Sequence, residues 1–110
     1  MGKDNLLKLT LKSEEVELNG EKYEVREMTG EDASEYESGI FKMVNGKPVY
    51  DTKNVKAKLV VLTLFQNGEP VFEKKDIGLV NQLPASVISK VFDVATKVNK
   101  LELDENVKNL

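Results

Sequence analysis

Glu31, Asp32 and Glu35 sit close enough that, on a helix, they share neighbouring surface positions. Three acids at that spacing could hold a divalent ion or work as an acid/base pair. A plainer use of the same residues is to complement a helix start, where carboxylates meet the positive end of the dipole. Thr29 with Asp32 three places on makes an imperfect capping box, since Glu or Gln is the usual partner, and this reading fits the cluster better. Lys74-Lys75 could touch a phosphate but reads more simply as a solvated loop. Ser86 has no base to activate it, because the chain contains no His. It also contains no Cys and no Trp. Disulfides, thiolate nucleophiles, Cys-rich zinc sites, Ser-His-Asp catalysis and haem ligation by His are therefore all excluded. The seven glycines are scattered, so none forms a phosphate-cradling loop, and no Asp-x-Asp-x-Asp-Gly calcium loop is present. No enzyme, cofactor or metal is expected.

Charge narrows the partners. The 110 residues carry 16 basic and 19 acidic side chains, a net charge of −3, without the basic excess of a nucleic-acid binder. The acid is concentrated. Between Glu14 and Glu37 ten acids face only Lys22 and Arg26, a balance of −8. This is a solvated acidic face, or a patch that repels nucleic acid and steers a basic partner. The aromatics Tyr23, Tyr36, Phe41, Phe65, Phe72 and Phe92 do not interleave with a basic stripe, which argues against single-strand binding. No apolar run reaches the roughly eighteen residues of a membrane span, and the first residues lack a signal-peptide core. A cytosolic protein is expected.

The elements that must position these residues follow from turn chemistry and apolar spacing. Asn19-Gly20 between Val16 and Val25 is the favoured pair of a type I′ hairpin, placing Val16 opposite Tyr23 and Glu17 opposite Lys22. Leu7, Leu9 and Leu11 alternate with polar residues as in a strand, out of phase with Val16 and Leu18, so a bulge or turn is expected near Ser13-Glu14. From Thr29, Ala33, Tyr36, Ile40, Met43 and Val44 fall at helical spacing. A helix is predicted up to Asn45-Gly46-Lys47-Pro48, with Gly39 as a close-packing point inside it. Residues 54–65 are apolar almost all round and suit a buried helix or a buried strand, with length and a polar lead-in favouring helix. Asn67-Gly68-Glu69-Pro70 reads as a turn and 75–83 as a short helix. Pro84 would open a helix over 84–99 with Val87, Ile88, Val91, Val94, Ala95 and Val98 on one stripe. Phe92 lies beside that stripe, as core or as an exposed anchor. The fold class is α+β, an N-terminal antiparallel β-hairpin or small sheet followed by a helical body of about four helices. The organisation is a leader or edge strand over 1–13, one domain over 14–100 and a charged tail over 101–110.

The order of these motifs resembles the tail assembly chaperones of long-tailed bacteriophages. Leu18-Asn19-Gly20 leads through Val25-Arg26-Glu27 to the Thr29 helix, then to the apolar stretch from Lys56 to Phe65. Asn67-Gly68-Glu69-Pro70-Val71-Phe72 follows, then Leu83-Pro84-Ala85-Ser86-Val87-Ile88 and an acidic tail closing on Val107-Lys108-Asn109. Asn67 stands where an acid is common in that family, and the leader before residue 13 lies outside the pattern. The resemblance implies a non-enzymatic protein of the bacterial host cytoplasm that binds and solubilises the tape measure protein while the tail tube polymerises around it. Such chaperones are absent from the finished virion and often have a longer form made by ribosomal frameshifting. Partners implied are the tape measure protein, the frameshift-extended form and the tail tube protein, with homo-oligomerisation left open, no nucleic acid and no membrane. The grip is expected on the 84–99 helix and the tail, at Ile88, Phe92, Leu101, Leu103 and Val107. The alternatives are a structural tail-completion or tail tube component and a small cellular protein-binding adaptor.

Overall fold

Three Asn-Gly pairs set the turns of this chain. The computed structural model describes residues 2–51 and 53–100. In it Asn19, Asn45 and Asn67 have φ of 52, 53 and 54°, and Gly20, Gly46 and Gly68 have φ of 81, 79 and 82°. Positive φ at both central residues is the type I′ geometry that matches the twist of paired strands. Each pair accordingly closes a hairpin.

The first hairpin joins β1 (Ser13–Leu18) to β2 (Glu21–Arg26) in the expected register, Val16 opposite Tyr23 and Glu17 opposite Lys22. Its inner face carries Val16, Leu18, Tyr23 and Val25 into the core cluster. Its outer face carries charge, with Lys22 3.7 Å from Glu15 and Arg26 3.3 Å from Glu24. The leader departs from the expected strand. Residues Gly2–Leu7 form a short helix, α1, and 8–12 are irregular, with Leu9 70% exposed. Pairing stops at Lys12, whose carbonyl accepts from Glu27 N at 2.7 Å. Alternating leucines make a strand only where they pair with a neighbour, and Leu7, Leu9 and Leu11 pair with no described strand.

Thr29 caps α2 (Gly30–Gly39), its hydroxyl accepting from Asp32 N at 3.2 Å. The helix does not run on to Val44. It ends at Gly39, and a second hairpin follows, β3 (Phe41–Val44) with β4 (Lys47–Tyr50). Ala33, Tyr36 and Ile40 obey the helical period and serve the core, whereas Met43 and Val44 match that period by coincidence and belong to a strand. Nor is Gly39 a close-packing point. A Cβ there would meet only the end of Lys58, at 3.7 Å. The glycine is the last residue of α2, without the positive φ of a glycine cap, and Ile40 N closes the helix on Tyr36 O.

Residues 54–65 turn out to be helix and then strand. Helix α3 (Val55–Thr63) is buried on all sides, with Val55, Ala57, Leu59, Val60, Val61 and Thr63 inside. The Thr63 hydroxyl is satisfied by donating to Leu59 O at 2.7 Å. Strand β5 (Leu64–Gln66) pairs antiparallel with β2 and, across Asn67-Gly68, with β6 (Glu69–Pro70). The main sheet therefore runs β1-β2-β5-β6, while β3-β4 stands apart as a two-stranded ribbon.

A 3-10 turn (Lys74–Asp76) and the short helix α4 (Ile77–Val80) lead to α5 (Ala85–Asn99), with Pro84 at its N-cap, one position earlier than expected. Helix α5 packs on β1, β2 and α3. Asn99 ties its end to the sheet, since Asn99 Oδ1 accepts from Met28 N at 2.7 Å and Nδ2 donates to Ala95 O at 2.8 Å. The α+β class holds, with the antiparallel β1–β2 hairpin near the N-terminus, preceded by α1, and four α-helices after it among the described residues. Those helices are interrupted by two hairpins that belong to no purely helical body.

Candidate functional site

The carboxylates singled out in the sequence are engaged with a lysine from a distant segment. Lys74, in the 3-10 turn, reaches across to α2, placing Nζ 2.8 Å from Glu35 Oε2 and 3.6 Å from Asp32 Oδ1. The Glu35 hydrogen bond and its charge, followed by Asp32, hold the Lys74 ammonium above its ordinary pKa. Among the described residues no three acids stand where they could share a metal ion. Ser86 is exposed on the first turn of α5. No helix among the described residues is long and apolar enough to cross a membrane.

Beneath Lys74 lies a groove in two chambers that share Val61, Leu62 and Lys74 as walls. The larger of the two, about 550 Å³, is lined by apolar Leu62, Phe65, Val71 and Phe72 and by acidic Asp32, Glu69 and Glu73. The smaller, about 150 Å³, lies against Tyr36, Gly39, Ile77 and Lys58. The walls of the two chambers together come from α2, α3, the β5–β6 hairpin, the segment before α4 and Ile77 at its start. Strand β5 presents Phe65 on the side of the sheet opposite the buried Leu64, and the Arg26 guanidinium covers the ring at 4.3 Å. Glu73 is held by Lys75 at 3.2 Å. Lys58 is committed elsewhere. It donates to the Gly39 carbonyl at the end of α2 and stands 3.7 Å from Asp51 Oδ2. Asp51 accepts from Asn54 Nδ2 at 3.1 Å, and that bond, with Lys58 and Lys42 nearby, holds its carboxyl below the usual carboxylate range.

Tyr36 is 1% exposed and is among the residues of the smaller chamber. Its enclosed hydroxyl is the buried side-chain polar atom without a hydrogen-bond partner among the described residues. Burial pushes its pKa well up. An orphaned buried hydroxyl costs free energy that a partner group would recover.

The β3–β4 ribbon offers a second exposed surface. Its register puts Phe41, Met43, Pro48 and Tyr50 on one face, with Phe41 stacked on Tyr50 at 4.8 Å between centroids. The other face alternates Lys42 and Lys47 with Val44 and Val49. Met43 is 68% exposed.

The expected partner-binding residues fall differently. Phe92 is core, 3% exposed, with the Lys56 ammonium 5.4 Å from its ring centre, so the exposed-anchor reading of this residue is set aside. Ile88 is half-buried and packs against the core. Helix α5 turns its apolar stripe inward because β1, β2 and α3 cover it. Leu101, Leu103 and Val107 lie outside the described residues. Sequence reasoning missed both the groove and the ribbon. The ribbon had a signal, Asn45-Gly46 repeating the chemistry of Asn19-Gly20. The groove had none, since its walls come from stretches some forty residues apart.

No protein-family model matches this sequence, and no curated protein matches it. Among solved structures, the chain is similar to the tail assembly chaperone of bacteriophage HK97, with a TM-score of 0.64 over 88% of this chain and 96% of that one. Identity is 16%, so the likeness is one of fold.

Proposed function

We propose that this protein is a tail assembly chaperone of a long-tailed phage. In this reading it binds the tape measure protein in the host cytoplasm, does no chemistry on it, and releases it as the tail tube forms. The observation that carries the reading is the fold likeness to the HK97 chaperone across nearly the whole length of both chains. The motif order of the sequence supports it independently. The groove supplies a physical means. An apolar floor rimmed by charge can take the apolar stripe of an amphipathic helix, as in other helix-in-groove complexes, while the acidic exterior keeps the coated client soluble. The frameshift-extended form and the tail tube protein are the further partners this role implies.

Co-expression with the long tape measure reading frame of the same genome tests the reading. The client is expected to become soluble and to co-purify with this protein. A client equally insoluble with and without it would overturn the proposal. Peptides of this protein in purified virions would favour a structural tail component instead.

A further inference from the structure

The groove has a polarity of charge that its floor alone does not require. Four carboxylates line its chambers, Asp32, Glu35, Glu69 and Glu73, and Glu69 makes no ion pair with another described residue. Of the two lysines that line it, Lys58 is held by the Gly39 carbonyl and Asp51. Lys74 alone crosses the groove, and it lies where the chambers meet. Its own bridges are solvent-exposed, and exposed pairs are weak enough to exchange. Taking the chaperone reading as its ground, the inference concerns what the groove selects. We propose that it takes an amphipathic segment whose apolar stripe is flanked by lysines or arginines, and that Lys74 holds it partly closed by occupying the carboxylates such a segment engages. On docking, a cation of the client replaces Lys74 on Glu35 and Asp32, and another meets Glu69. The apolar stripe covers Leu62, Phe65 and Phe72. Lys74 thus acts as a tethered competitor that an uncharged apolar segment cannot displace, while the carboxylates themselves repel an acidic one.

The test uses the full chain and two synthetic amphipathic helical peptides with the same Leu/Val stripe, one flanked by lysines and one by glutamates, followed by fluorescence anisotropy. Two or three rim pairs of ordinary surface strength multiply to about a tenfold preference for the lysine peptide, weakening with salt. Lys74→Gln should tighten that peptide by up to about fivefold, the worth of one surface pair. Val71→Asp separates docking from general attraction. Val71 is 37% exposed, so the variant should fold, and its added negative charge would strengthen a merely electrostatic association. Docking in the groove predicts loss of binding instead. Equal affinity for the two peptides, no binding by the lysine peptide, weakening by Lys74→Gln, or binding kept by Val71→Asp would each overturn the inference. Should the tape measure protein co-purify with Val71→Asp as well as with the parent, the groove assignment fails while the chaperone reading stands. Should the lysine peptide dock and the tape measure protein stay insoluble, the reverse holds.

Discussion

The first and second hairpins are closed by the same dipeptide with nearly the same backbone angles, and they meet opposite fates. In β1–β2 the strands continue into a four-stranded sheet, and α5 covers their inner face. In β3–β4 the ribbon pairs with no other described strand, and on its apolar face Phe41, Met43 and Pro48 are exposed while Tyr50 is half-buried. Local turn chemistry therefore decides that a hairpin forms, whereas the surrounding chain decides whether it carries stability. A two-stranded ribbon alone is marginal in water. What holds this one is its base, where Asp51 N donates to Ile40 O at 2.6 Å and Lys58 braces Asp51 against the end of α2.

Phe92→Ala strikes the packing that the first hairpin has and the second lacks. The ring lies in the core on the helix that seats β1 and β2, and its removal leaves a cavity there. A loss of about 3–5 kcal/mol is expected in urea denaturation, the usual range for a buried Phe. A loss below about 1 kcal/mol would show that α5 can collapse onto the sheet without it, and would weaken the contrast between the two hairpins.

Gly20→Ala and Gly46→Ala make the comparison internal. Both glycines have φ near 80°, where an added Cβ meets no neighbour but strains the backbone by about 1–2 kcal/mol. Opening the first hairpin exposes Val16 and Val25, so Gly20→Ala should lower global stability by the full strain. The second hairpin can open without exposing the central core, so Gly46→Ala should show less than half of that loss by denaturation. Its effect should appear instead as faster hydrogen exchange at the β3 and β4 amides. Equal global losses would mean that the two ribbons unfold as one unit.

These contrasts explain what could be read from residues alone. The β1–β2 register, the Thr29 cap and the α5 stripe are local patterns whose burial agrees with their period, so the sequence points to them directly. At Met43 and Val44 two periods coincide, and only the later Asn45-Gly46 separates them. Over 54–65, apolar residues on every side erase the period, because α3 is enclosed and β5 begins without a break at Leu64. The leader departs for the opposite reason, a clear strand period in residues that pair with no described strand. The groove is non-local throughout. Nothing at Glu35 announces that Lys74, 39 residues away, will bridge it.

Met43→Lys is the mildest change and the sharpest check on the exposed ribbon. Met43 stands 68% exposed opposite Pro48, and a lysine there keeps a long aliphatic stem beside Pro48 and Tyr50. Replacing an exposed residue away from any cap, cavity or buried pair usually moves stability by no more than about 0.5 kcal/mol. An effect of that size is expected at low protein concentration, together with an unchanged circular dichroism spectrum. Met43 then contributes nothing to the fold of the free chain, and its exposure reflects the absence of a partner for it among the described residues. A larger loss, growing with protein concentration, would show that another molecule covers this face in solution, and the contrast with the first hairpin would become one between intramolecular and intermolecular cover.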